Sequence, residues 1–196
     1  MKNKLLILFG KSAAGKDTML HYLEKAIPNS HIIVSHTSRP PRDYEIQDKD
    51  YHFVSLQEFE KLRDNYEMLE YTYFNGWYYG THKSEIKPDV INIGVFNPTG
   101  VYTLTHDWSD QIDILPVYIQ VDDKTRLLRS LTREICPDCH EICRRFLADE
   151  AQFSQFENKF DYEIFLNDSE YDYGYDAKFH AIFNRPKVAK FLEGHI

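Results

Sequence analysis

Apolar residues along this chain fall in short runs separated by longer polar stretches. Runs rich in aliphatic and β-branched side chains occupy residues 5–9, 31–35, 90–96, 115–121 and 162–166. Each has the length of a strand buried on both faces. Polar segments of helical length lie between them at 17–26, 123–132 and 137–156. That alternation predicts an α/β architecture, a central parallel five-stranded sheet with helices on both sides. Residues 35–88 break the pattern. They are rich in Tyr, Arg, Asp and Glu, with short alternating pieces at 51–55 and 71–74 and an Asn75-Gly76 dipeptide that signals a hairpin. The expected organisation is core over 1–34, an inserted mixed α+β lobe over 35–88, and core again over 89–127. A short helical lid over 128–148 and a C-terminal part of the core over 149–196 complete it.

With 196 residues and 42% apolar content, one compact core with small lobes is within reach. The net charge of −8 argues against a nucleic-acid partner, which normally meets a basic stripe. The arginines nevertheless cluster, Arg39 and Arg42 in one segment and Arg126, Arg129, Arg133, Arg144 and Arg145 in another. Local positive charge in an acidic chain suits a small anionic ligand. No apolar run approaches the roughly 20 residues of a membrane helix. The first nine residues superficially resemble a signal peptide, but their short apolar stretch leads at once into Gly10-Lys11, so a buried first strand is expected. The three cysteines all lie between positions 136 and 143 and offer no disulfide framework, which suits a reducing cytoplasm.

Chemistry enters directly after the first run, in Gly10-Lys11-Ser12-Ala13-Ala14-Gly15-Lys16-Asp17-Thr18. This is G-x-x-x-x-G-K between a predicted strand and a predicted helix, a P-loop. Its glycines let successive backbone N–H groups face phosphate oxygens, the helix start adds its dipole, and Lys16 supplies a mobile cation. Asp17 stands where Ser or Thr usually binds Mg²⁺. A carboxylate is also a hard Mg²⁺ ligand, although at a helix start it is equally a favourable cap-region acid. Thr18 points about 100° further round the helix and is a weaker substitute.

The segment Ser35-His-Thr-Ser-Arg39-Pro-Pro-Arg42, an acid at Glu45, and Asp50-Tyr51-His-Phe53-Val-Ser55 together resemble the guanylate kinase family. Its members carry Ser-x-Thr-Thr-Arg-x-Pro-Arg followed by Asp-Tyr-x-Phe-Val. Glu70 and Gly76-Trp-Tyr78-Tyr79-Gly80-Thr81 resemble the second half-site, a Glu followed by Asn-Tyr-Tyr-Gly-Ser/Thr. The resemblance implies a P-loop kinase fold of three layers and transfer of the ATP γ-phosphate to GMP or dGMP. It implies ATP contacts at residues 10–18 and Asn167, with Lys16, Arg39, Arg129, Arg133 and Arg145 as the catalytic cations. It further implies GMP contacts at Ser35, Arg39, Arg42, Tyr51, Glu70, Tyr79, Thr81 and Asn97. The residue chemistry agrees: paired arginines grip phosphate, and Glu70, an acceptor-only carboxylate, suits guanine N1–H and N2–H₂.

One departure stands out. Family enzymes place Asp-x-Asp after the third core strand, where this chain has Val95-Phe96-Asn97. An amide there relaxes base selectivity, for instance toward IMP, and Asp17 becomes the expected Mg²⁺ ligand. Arg129 and Arg133, four apart, share a helical face, and Arg145 follows in the next helix. Cys136, Cys139, His140 and Cys143 lack the distant second pair that closes a zinc site, so zinc is not expected. Expected partners are ATP with Mg²⁺ and GMP or dGMP, with no nucleic acid or membrane, for a chain acting as monomer or homodimer. Two alternatives remain open at this level, a kinase of another nucleoside monophosphate and a non-catalytic binding module of the same family.

Overall fold

The computed structural model describes residues 2–42, 45–74, 76–133, 135–156, 159–167 and 179–194. Its strands are β1 Asn3–Phe9, β2 Ser30–Ile32, β3 His36–Thr37, β4 His52–Phe53, β5 Met68–Phe74, β6 Trp77–His82, β7 Ile91–Val95, β8 Ile112–Gln120 and β9 Glu163–Leu166. Its helices are α1 Lys16–Ala26, α2 Leu56–Asp64, α3 Pro98–Asp107, α4 Asp123–Thr132, α5 Cys139–Ser154 and α6 Pro186–Phe191.

Five strands form one parallel sheet in the order β2-β7-β1-β8-β9. β1 sits at its centre, paired from Lys4↔Ile91 to Leu8↔Val95 on one side and from Asn3↔Ile112 to Phe9↔Tyr118 on the other. Because side chains alternate along a strand, Leu6 and Leu8 face one layer and Leu5, Ile7 and Phe9 the other. The first layer is closed by Met19 and Leu23 of α1 with Ile182, Val188 and Leu192. The second is closed by Val101 and Leu104 of α3 with Leu69 and Phe96. Leu5, Leu6, Ile7 and Leu8 are all fully buried, each worth roughly 1.5–3 kcal/mol relative to exposure.

The five apolar runs all become core strands, although 31–35 shortens to Ser30–Ile32. Helix α3 has no counterpart in the sequence reading, because Asn97-Pro98-Thr99-Gly100 reads as a turn. It is instead a helix start, with Asn97 Oδ1 accepting the Gly100 N–H at 2.8 Å and Pro98 in the first turn. The helix expected over 137–156 begins at Cys139, capped by Asp138, and ends at Ser154.

A second sheet, β4-β3-β6-β5, holds the segment between core strands. The hairpin turn at Gly76 (φ 84°) joins β5 to β6, with Asn75 lying outside the described residues. The piece at 51–55 is not part of that hairpin; its β4 pairs parallel to β3. The lobe is tied to the core where Trp108 Nε1 donates to Leu69 O at 2.9 Å.

Beneath this sheet His36 lies between His52 and His82, with ring centroids 4.5 and 5.8 Å away. Its Nδ1 is buried with no partner among the described residues. Burial first, then the neighbouring His52 and His82, holds its pKa down at about 4. An unfolded histidine titrates near 6.5. The unfolded chain therefore takes up this proton before the folded one, and stability falls as pH drops from 6.5 toward 4. Discounted for the partial exposure of the ring, the cost at pH 5 relative to pH 7 is about 1 kcal/mol. Buried Glu70 has the opposite sign, so thermal melting across pH 7 to 5 is best compared with a His36→Leu variant. The variant is expected to lose distinctly less stability on acidification; equal loss contradicts this assignment.

Candidate active site

β1 delivers the chain into the phosphate loop. Glycine is needed at position 10, since a Cβ there would lie 2.6 Å from Ile119 O of neighbouring β8. The loop then turns through Ala13 (φ 60°) and Gly15 (φ 89°) before α1 begins at Lys16. Lys16 Nζ donates to Gly10 O at 2.9 Å and Lys11 O at 3.1 Å, and burial pulls its pKa down from the usual lysine value. Asn167, buried at the end of β9, donates from Nδ2 to Ala14 O at 2.7 Å and so braces the loop from behind. Asp17 and Thr18 are exposed on the first turn of α1.

Across the cleft stands a buried polar relay. Thr81 Oγ1 donates to Glu70 Oε1 at 2.9 Å and lies 3.2 Å from Ser35 Oγ. Since the Thr81 proton goes to Glu70, Ser35 is the donor in the second bond. Glu70 is 6% exposed and Thr81 fully buried. Burial raises the Glu70 pKa to about 7 against the opposing pull of Thr81. Glycine at position 100 leaves room for this carboxylate, since a Cβ there would lie 2.9 Å from Glu70 Oε2 and push it aside.

Between relay and loop lie the arginines and tyrosines expected to hold the monophosphate. Arg39 forms a forked pair with Glu45, Nη1 to Oε2 at 2.9 Å and Nη2 to Oε1 at 2.8 Å, and lies over the rings of Tyr51 and Phe53. Arg42 shares the same carboxylate, its N–H donating at 2.8 Å. Tyr51 and Tyr79 meet edge to face at 6.1 Å, and burial raises the Tyr51 pKa, keeping its hydroxyl a donor. From the lid helix, Glu141 accepts from Arg144 Nε at 2.6 Å and Arg145 Nε at 2.7 Å. These two bonds hold its pKa down at about 2.

One cleft of about 580 Å³ joins these parts, lined by Ser12, Lys16, Ser35, Arg39, Glu70 and Arg145 among others. Arg42, Tyr51, Tyr79 and Asn97 also line it. Thr81 does not; it reaches the cleft only through Glu70 and Ser35. Nor do Arg129 and Arg133. Arg129 turns onto backbone carbonyls, Ala13 O at 3.4 Å and Asn167 O at 3.2 Å, and Arg133 is exposed beyond α4. Lys11 points away to pair with Glu150. Asn97 spends its carbonyl oxygen on capping α3.

Sequence reasoning passed over Arg144, Phe74 and Trp77, which also line the cleft. It gave no role to Glu45, and none to the pair Arg126 and Asp149 beside Ser12. The adjacency of Arg144 to Arg145 was a usable signal. Arg126 is marked in the sequence only by its place in the arginine cluster, and its burial arises only in the fold. Cys136, Cys139 and Cys143 are exposed free thiols. Among the described residues no three His, Cys, Asp or Glu side chains are placed to hold a metal, and no helix is long and apolar enough to cross a membrane.

A P-loop at the carboxyl end of the central strand of a parallel sheet, facing a lobe built around a buried carboxylate, defines a nucleotide-binding α/β protein of the P-loop class. Comparison with known proteins narrows the class. The family model described as guanylate kinase matches residues 2–177, and the chain belongs to the guanylate kinase family. It is 40% identical over 84 residues to the guanylate kinase of Gloeobacter violaceus, covering 43% of this chain and 41% of that protein. It is 41% identical over 83 residues to that of Helicobacter pylori strain 26695, covering 42% and 40%. These alignments span about two fifths of the curated relatives' length. The fold is similar to the crystal structure of guanylate kinase from Anaplasma phagocytophilum, with a TM-score of 0.66 at 18% identity over 99% of this chain and 89% of that one.

Proposed function

We propose that the protein transfers the γ-phosphate of ATP to GMP or dGMP, giving ADP and GDP or dGDP. The observation that carries this reading is the buried Ser35–Thr81–Glu70 relay opening into the same cleft as Lys16. Ionised Glu70 offers Oε1 and Oε2 to N1–H and N2–H₂ of guanine, a donor pair that adenine and pyrimidines lack. Arg39, Arg42, Tyr51 and Tyr79 hold the monophosphate at mid-cleft. A monophosphate oxygen then attacks the γ-phosphorus while the bond to the β-phosphate oxygen breaks and ADP leaves. No general base is needed. Lys16 and the lid arginines Arg144 and Arg145 stabilise charge on the transferring group. Exposed, unpaired thiols suit a reducing compartment such as the cytoplasm.

The test is ADP release measured with GMP, dGMP, IMP, AMP and pyrimidine monophosphates. Turnover is expected to be greatest with GMP or dGMP, with measurable IMP activity because Asn97 replaces a carboxylate. Equal turnover of AMP or CMP rejects the guanine assignment. No turnover with any of them favours a binding module.

Asp17 supplies one hard carboxylate beside Lys16, and its charge is felt at Lys16 and Tyr51. That suits Mg²⁺, which keeps several waters and takes one or two carboxylates plus phosphate oxygens. When bound, Mg²⁺ would neutralise triphosphate charge. Asp17→Ala, which removes the carboxylate and puts no hydroxyl in its place, is expected to raise the Mg²⁺ concentration for half-maximal rate about tenfold or more. An unchanged magnesium requirement removes Asp17 from this role.

A further inference from the structure

Beside the phosphate loop, Arg126 of α4 and Asp149 of α5 form a charge group the kinase reading does not use. Arg126 is 1% exposed. Its Nε donates to Ser12 O at 3.0 Å, Nη1 to Asp123 Oδ1 at 2.7 Å and Nη2 to Asp149 Oδ2 at 2.8 Å, and its plane lies 4.6 Å from the Phe146 ring centre. Asp149 Oδ2 also accepts the backbone N–H of Ser12 at 2.7 Å, and Oδ1 accepts the Ser12 hydroxyl at 3.2 Å. A loop amide, a hydroxyl and a buried guanidinium thus converge on one carboxylate, 14% exposed in the wall of the main cleft. That donor set is one a phosphate oxygen takes.

We propose that the Asp149 carboxylate is a built-in occupant of an anion subsite formed by Ser12 N–H, Ser12 Oγ and Arg126, and that an oxygen of the incoming triphosphate displaces it. Arg126 is then a further phosphate-binding residue. The inference rests on the cleft being the triphosphate site, as the kinase reading has it. Exchanging one oxyanion for another keeps both ends of the buried guanidinium paired, whereas an empty subsite would leave Nη2 without its acceptor and only the exposed Asp123 in close pairing with Arg126. The next residue repeats the arrangement, Glu150 pairing with Lys11 of the loop and lying 3.7 Å from Arg126. Both acids ride on α5, the helix that carries Arg144 and Arg145. Filling the loop therefore releases α5 from it and frees the helix to reposition those arginines.

The experiment titrates inorganic tripolyphosphate and ATP into the wild-type protein, Asp149→Asn, and the double variant Arg126→Met with Asp149→Leu. Binding is followed by calorimetry and folding by thermal melting. Asp149→Asn keeps the shape but removes the competing charge, so tripolyphosphate is expected to bind about tenfold tighter or more. The double variant loses competitor and donor together and is expected within about threefold of wild type. Equal or weaker binding by folded Asp149→Asn, or binding tenfold weaker in the double variant, overturns the proposal and makes the pair a structural strut. If Asp149→Asn does not fold, the double variant decides alone by the same two limits. Failure of every form to bind either probe also overturns it. A protein that binds tripolyphosphate as expected yet turns over no GMP refutes the kinase reading and leaves the subsite standing.

Discussion

Replacing Lys16 by methionine is expected to lower kcat for GMP phosphorylation about a thousandfold. Methionine retains the length and apolar stem, so the change isolates the ammonium. That ammonium is held over the loop by Gly10 O and Lys11 O. In the proposed reaction it is thereby pre-aimed at the β- and γ-phosphates, with no reorganisation required when charge develops on the transferring group. Burial already pulls its pKa down, so a neutral side chain should leave the melting temperature unchanged or raise it. Steady-state ADP release at saturating GMP, with melting as the control for folding, reads the effect. A loss smaller than tenfold in a folded variant means that Lys16 does not stabilise the transferring phosphate.

The second large effect is expected at Glu70. Glu70→Gln preserves shape and the bond from Thr81 but puts an amide NH₂ where the second carboxylate oxygen faces the base. Two donors then oppose each other, and kcat/KM for GMP should fall about a thousandfold. The same amide suits the acceptor and donor edge of adenine, so the value for AMP should not fall with it. Wild-type protein adds a pH signature. With a pKa of about 7, Glu70 gains a proton as pH falls through neutrality. KM for GMP is therefore expected to be flat above pH 7 and to rise about tenfold per unit below it. In the Gln variant that slope should vanish. A wild-type KM independent of pH between 5.5 and 8 contradicts the assignment of Glu70 as the base-reading acid.

The central sheet was legible because its strands are buried on both faces, which compels continuous apolar runs such as Leu5-Leu6-Ile7-Leu8. The loop was legible because phosphate binding demands glycines at fixed spacing. α3 was not, since Asn97-Pro98-Thr99-Gly100 has the composition of a turn and the helix shows only through its cap. The strand pairing of the lobe failed for a different reason. β3 and β4 are two residues each and their partners are set by long-range packing, not by local alternation. Within the cleft, residues proposed to meet ligand were more readable than residues that hold them in place. Arg39 follows from its motif, but its grip on Glu45 needs the fold. The four-residue spacing of Arg129 and Arg133 predicts one helical face, yet Arg129 turns onto Ala13 O and Asn167 O, Arg133 follows the last residue of α4, and neither lines the cleft.

The carboxylates of Glu45 and Glu141 have a consequence beyond orienting arginines. Each guanidinium aimed at phosphate already carries a resident anion, held in a fork at Arg39 and by bonds of 2.6 and 2.7 Å at Arg144 and Arg145. A passing chloride or bicarbonate, with one charge and few acceptors, gains little by displacing such a partner. A nucleotide phosphate brings more charge and more oxygens, and can take over every bond at once. On the proposed reading, the cleft is therefore expected to discriminate against the background of small anions in favour of ligands of high valence.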